Sequence, residues 1–188
     1  MITKTNKLFA LTIFSFGIFY LVKYINLGDT SKILTCLCVP IIVFIPKFLK
    51  DKINDKLVFI YYFYIFILMI LGCLGRFYYI YKYYDVFAHF MFGFAGSITA
   101  IYILNLFKLI DKNKIFNIIF IIALTLCLAS FWEIIEYISS IIFKEDVQDV
   151  LKTGVRDTME DIIVCLISCI LFMIVYAFKS NKLENIVK

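Results

Sequence analysis

Six stretches of this chain are apolar over lengths that match the hydrocarbon core of a bilayer. A helix needs roughly 20 apolar residues to span it. The stretches lie near residues 8–27, 33–49, 57–81, 85–107, 115–142 and 159–178. In lipid every backbone amide and carbonyl must find a partner inside the protein, so apolar runs of this length fold as helices. The expectation is an all-α fold, a polytopic membrane helix bundle of about six transmembrane helices forming a single integral membrane domain over residues 1–188. Composition agrees: 63% of residues are hydrophobic and the mean hydropathy is +0.95, beyond the range of soluble domains. The second stretch carries Pro40 and Pro46, which predict a kink.

The net charge of +5 reads as a topology signal. The lysines sit in short connectors without a basic stripe or interleaved stacking aromatics, so nucleic acid is excluded as a partner. If the N-terminus is inside, twelve Lys and Arg fall on the inner side and seven on the outer. The positive-inside rule then places both termini in the cytoplasm. Lys4 and Lys7 ahead of a long apolar run resemble a signal peptide, but no small-residue cleavage site follows, and an uncleaved first helix is expected. The six cysteines (36, 38, 73, 127, 165 and 169) all lie in apolar spans without a CxxC pair. They read as free thiols acting as small hydrophobes.

Eight polar groups stand out against this background: Arg76, Asp85, His89, Glu133, Glu136, Arg156, Asp157 and Asp161. They include the only histidine and the only two arginines of the chain. The expected topology brings all eight to the outer leaflet, at the ends of four helices. Ionisable groups in a membrane are costly and mark functional sites by default. Asp85, His89, Gly93 and Gly96 share a helix face, as do Ala129, Glu133, Glu136 and Ser140, and Asp157, Asp161, Cys165 and Ser168. Gly72, Gly75, Arg76 and Tyr79 form a fourth such group. Each stripe is polar toward one end and small further along, which lets helices approach closely.

So many carboxylates cannot all stay ionised in a low dielectric without protons, arginines or a metal. Asp85, His89, Glu133, Glu136, Asp157 and Asp161 are candidate ligands of a divalent metal whose identity the residues leave open. Arg76 and Arg156 are candidates to hold a substrate phosphate. Glu133 or His89 is the candidate general base. Three readings stay open: a metal or catalytic site acting on a polar lipid or lipid-linked envelope precursor, a hydrogen-bonded structural network supporting envelope integrity, and a proton or ligand pathway in a small transporter or substrate-capture subunit. Asp157 or Thr158 is the expected cap of the last helix. In the connector 143–156, Val147, Val150, Leu151 and Val155 oppose Asp146, Gln148, Asp149 and Lys152, a weak amphipathic pattern that fits either a surface helix lidding the site or a plain solvated helix. The aromatic run Phe77, Tyr78, Tyr79, Tyr81, Tyr83 and Tyr84 predicts an interfacial belt.

These residues carry a resemblance. Asp85, His89 and Phe90 with Gly93 resemble the D-x-x-x-H-F opening of VanZ-like membrane proteins and, more closely, of YjdF-like bacterial inner-membrane proteins. Glu133, Glu136 and Tyr137 match an E-x-x-E-[WY] element of the latter. Gly154, Asp157, Thr158 and Asp161 match its closing G…D-[TAM]-x-x-D element. The resemblance spans roughly residues 60–178 and implies a multi-pass protein of the bacterial cytoplasmic membrane. VanZ-like sequences carry a glutamine and an asparagine where this chain has Glu136 and Asp161.

Overall fold

A computed structural model describes residues 3–49, 53–143 and 150–186. It is all-helical over the described residues. The helices are α1 (Lys4–Leu27), α2 (Thr30–Phe48), α3 (Asp55–Ile65), α4 (Phe77–Ile80), α5 (Tyr84–Leu106), α6 (Lys114–Phe143), α7 (Val150–Thr153) and α8 (Arg156–Ile186), and α3 continues as a π-helical stretch over Phe66–Leu74. Six segments are long and apolar enough to cross a membrane: Lys4–Leu27, Thr30–Phe48, Asp55–Leu74, Tyr84–Leu106, Lys114–Ile142 and Arg156–Ser180. The protein is a polytopic helical membrane protein. It divides into two compact units, residues 1–85 and 86–188. The boundary falls in the first turn of α5, so Asp85 is carried on the same helix as His89.

In the first unit, Thr3, Asp29 and Asn54 cap α1, α2 and α3 by accepting from Asn6, Lys32 and Leu57 amides. Gly28 takes the left-handed conformation that ends α1 and lets α2 begin two residues later. The core is Ile13, Tyr24, Cys36, Val39, Val43, Val58, Tyr62, Ile70 and Leu74. Gly17 admits Val39, whose Cγ1 would lie 2.9 Å from an added Cβ. Leu8, Leu11, Phe19 and Ile41 face outward, as suits lipid.

Helix α2 runs through both prolines, where a kink was expected. Pro46 has no amide hydrogen to give the carbonyl of Ile42, four residues earlier. The Tyr61 hydroxyl donates to that carbonyl at 2.8 Å, and Tyr62 donates to the Val43 carbonyl at 3.0 Å. The π-helical stretch is handled alike: Tyr84 donates to the Ile67 carbonyl (2.9 Å) and Tyr24 to the Leu74 carbonyl (2.6 Å). The third span was expected to reach residue 81, but its continuous helix, α3 with the π-helical stretch, ends at Leu74. The Gly75 amide closes on the Ile70 carbonyl, and Arg76 then adopts a left-handed conformation (φ 63°) that starts α4. Of the expected aromatic belt, Tyr79, Tyr81 and Tyr83 are exposed. Tyr78 packs against Gly72, where an added Cβ would strike its ring.

In the second unit, α5, α6 and α8 bury Ala88, Gly93, Ala100, Ile101, Leu104, Ile121, Ala129, Cys165 and Cys169. Gly93 sits against Ser168 Oγ and the Cys165 carbonyl, with no room for a methyl group. At the far end of α5, Asn117 receives the Asp111 amide (2.9 Å) and donates to its carbonyl (2.9 Å), fixing the α5–α6 connector. Helix α8 breaks at Lys179, and beyond the break Glu184 accepts from Tyr176 (2.7 Å). All six cysteines are free.

Tyr61→Phe removes the side-chain donor that compensates Pro46. It should lower stability by about 1–2 kcal/mol, the cost of leaving a carbonyl unmatched in an apolar setting. A melting experiment in mild detergent, with Phe63→Leu as control, checks this.

Candidate metal centre

The candidate centre lies where α5, α6 and α8 each turn a buried ionisable side chain toward the others. His89 comes from α5, Glu133 from α6 and Asp161 from α8; their exposures are 5%, 5% and 3%. One imidazole nitrogen, Nδ1, is 3.9 Å from Glu133 Oε1, and the other, Nε2, is 3.6 Å from Asp161 Oδ2. The ring thus stands between two carboxylates on different helices. Two bare carboxylate charges would not be stable here, because a buried carboxylate must be paired, protonated or metal-bound.

Two sets of donors share this imidazole. Asp85, His89 and Asp161 each offer a ligand atom within 4.8 Å of the others, and so do His89, Glu133 and Glu136. Helical spacing explains both: Asp85 precedes His89 by four residues on α5, and Glu133 precedes Glu136 by three on α6, so each pair shares a face. The structure therefore holds a buried His, Asp and Glu cluster that could bind a metal.

Neighbouring groups hold the cluster in place. Trp132 Nε1 donates to Glu136 Oε1 at 2.8 Å, and Ser140 Oγ donates to the Glu136 carbonyl at 2.9 Å. The Cys165 thiol donates to the His89 carbonyl at 3.2 Å, with its sulfur 3.8 Å from Nδ1. One turn further along α5, Ser97 Oγ donates to the Gly93 carbonyl (2.7 Å) and meets Cys169 Sγ (3.3 Å). The small residues of the three stripes thus bring α5 and α8 close enough for the imidazole to reach Asp161. Cys165 was expected on the same face as Asp161, but Trp132 was not singled out in the sequence; an indole four residues before Glu136 was the available signal.

The remaining candidates are placed differently. Asp157 lies one turn before Asp161, half-buried, and belongs to neither donor set. Helix α8 starts at Arg156, so Asp157 and Thr158 sit inside its first turn instead of capping it; left-handed Gly154 ends α7 and lets α8 begin at once. Arg156 is exposed and donates through Nε to Glu160 Oε1 at 2.7 Å, one helical turn on. Arg76 belongs to the first unit. Of the expected amphipathic connector, residues 144–149, with Asp146, Val147, Gln148 and Asp149, lie outside the described residues; Leu151 and Val155 are exposed on either side of Gly154.

A family model described as "Predicted membrane protein (DUF2238)" matches residues 8–182. The chain belongs to this family. Its match runs through all six spans and every residue of the cluster. No curated protein and no solved structure matches the chain.

Gly93→Ala would drive a methyl group into Ser168 and the Cys165 backbone, and a backbone cannot swing away as a side-chain end can. It should cost about 1–3 kcal/mol by overpacking. Gly28→Ala is the contrast: its cost comes from the left-handed φ of 68° alone, since nothing lies within 4 Å of the added methyl. Melting both variants separates the two effects.

Proposed function

We propose that the second unit is a divalent-metal site embedded in a bacterial cytoplasmic membrane, with both termini of the chain in the cytoplasm. His89 Nδ1, Glu133 and Glu136 are its ligands. Asp161 Oδ2, 3.6 Å from Nε2, would accept from it on a closure of a few tenths of an ångström and so fix which imidazole nitrogen is free to bind, the role a carboxylate commonly plays behind a metal-bound histidine. Asp85, one turn before His89, adds a further carboxylate.

The observation that carries this reading is the pair of separations around the ring. At 3.6 and 3.9 Å they are longer than hydrogen bonds. The 3.9 Å between Nδ1 and Glu133, the pair proposed to share the ion, lies nearer to the roughly 3.3 Å expected between nitrogen and oxygen ligands about a tetrahedral ion. A cation would also offset the carboxylate charge that no buried arginine meets, since Arg156 is spent on Glu160 at the surface. With a cation in place, Glu133, through its second carboxylate oxygen, is the group that would take a proton from a polar lipid headgroup or a lipid-linked envelope precursor, because both nitrogens of His89 are then engaged. The inner-side excess of lysine supports the orientation.

A structural reading is favoured by one specific observation. Cys165 and Trp132 already fasten His89 and Glu136 from the side, as members of a hydrogen-bonded brace do. A cation or proton pathway finds less support. Beyond Ser97 and Cys169 the described buried residues of the same helices, among them Ala100, Ile101, Leu104 and Ile121 with the neutral Thr125 and Asn117, include no acid.

Elemental analysis of the purified protein in mild detergent separates the first two. The metal reading expects about one equivalent in the wild type and loss of the metal in Glu133→Gln. It also expects about 10- to 100-fold weaker binding in Asp161→Asn, because the imidazole loses its orienting acceptor. Absence of metal from the wild type after loading with Zn, Mn or Fe, together with a lowered melting point in Glu133→Gln, would establish the brace instead.

A further inference from the structure

The first unit carries a second concentration of charge, independent of the metal reading. Three cations line one end of it, strung along aromatic rings. Lys23 at the end of α1 places Nζ 5.5 Å from the Tyr24 ring and 5.6 Å from the Tyr20 ring. The Tyr24 hydroxyl holds the Leu74 carbonyl, two residues before Arg76. Arg76 Cζ lies 5.5 Å from the Tyr79 ring, and Lys32, in the first turn of α2, approaches that same ring at 5.6 Å. One exposed tyrosine therefore holds a guanidinium and an ammonium that are 44 residues apart in sequence.

Among the described residues none of these three cations has a carboxylate within 4.0 Å, unlike Arg156 with Glu160. Asp29 is the nearby acid in sequence, and it is engaged in accepting the Lys32 amide as the α2 cap. Arg76 also occupies a left-handed backbone conformation, which L-residues with a Cβ adopt at a cost, although Gly75 stands next to it. That turn directs the arginine over Tyr79: the Tyr79 and Ile80 amides both close on the Arg76 carbonyl at 3.0 Å. Strain of this kind persists where the placement of the side chain matters.

We propose that Arg76, Lys32 and Lys23, supported by Tyr79 and Tyr24, form a binding site for the phosphate of an anionic phospholipid headgroup. The chemistry fits. A planar guanidinium fork binds two phosphate oxygens, and the two ammonium groups supply point charge. Rings beneath the cations restrict their rotamers before the ligand arrives, which lowers the ordering cost of binding. The exposed face of Tyr79, at 61%, suits the headgroup level of a bilayer, where tyrosine concentrates. Lysine or arginine anchors of the general kind would respond to surface charge anywhere on the protein. A site responds to geometry.

Lys108 supplies a matched control. It too is a basic residue in a left-handed conformation (φ 57°), located after α5, and no ring among the described residues lies beneath it. Arg76→Gly and Lys108→Gly each remove one positive charge and relieve one strained backbone, so neither variant is expected to fold poorly. Native mass spectrometry of the full chain, titrated with phosphatidylglycerol or phosphatidylcholine, reads bound lipid directly. The wild type should retain phosphatidylglycerol over phosphatidylcholine. Arg76→Gly should lose about fivefold or more in affinity, the worth of one cation at an anionic surface. Lys108→Gly should match the wild type, and Tyr79→Leu should fall toward Arg76→Gly. Equal losses in the two glycine variants, or no preference between the lipids, would overturn the site. Inorganic phosphate alone, binding in an Arg76-dependent way and displacing the lipid at millimolar concentration, would assign the site to a soluble phosphate and overturn the lipid assignment.

Discussion

A carbonyl in hydrocarbon has no water to turn to, and much of this structure follows from that. Regular α-helix satisfies the backbone by itself; every departure from it leaves an acceptor to be matched. The chain departs at Pro46 and along the π-helical stretch 66–74, and at each place a tyrosine hydroxyl from another segment supplies the hydrogen. Tyr61, Tyr84 and Tyr24 are therefore more than apolar bulk. They tie α1, α2 and the first residue of α5 to α3 and its π-helical continuation. The same requirement lets the third span stop at Leu74 and turn sharply at Arg76, because the Leu74 carbonyl is already held.

The second unit faces the sharper form of the same problem, since it buries charge as well as dipoles. His89 is the pivot. One imidazole can face two carboxylates on two helices because its nitrogens point in opposite directions, and Glu133 and Asp161 use one each. Close approach of α5 and α8 at Gly93 makes this possible, and the thiol of Cys165 secures the backbone behind the ring. Small residues, a histidine and carboxylates thus form one device. Without the glycine the helices stand apart, and without the histidine the acids have no common partner.

The charged groups of the sequence separate into three physical situations. Glu133, Glu136, His89 and Asp161 gather. Arg156 stays at the surface on Glu160, an exposed pair in a position where the helical spacing of four residues is enough to make it. Arg76 joins lysines of its own unit across Tyr79. Hydropathy marks all of them as unusual in an apolar chain but carries no sign of which will meet, because that depends on how each helix is rotated about its axis. In a soluble protein the apolar face would reveal that rotation. Here lipid-facing and buried faces are both apolar, so the pattern is nearly silent.

What the sequence by itself determined is therefore local or compositional. It settled the helical membrane class and the six spans, because span length is set by bilayer thickness. It also settled the pairs Asp85 with His89 and Glu133 with Glu136, because helical periodicity places them on common faces. The tertiary structure alone decided that Asp161 reaches the imidazole. It also decided that tyrosines replace the hydrogen missing at Pro46, and that Lys32 and Arg76 share one ring. Each of these joins residues distant in the chain through helix rotation and close packing at glycine, neither of which leaves a trace in a linear pattern of apolar residues.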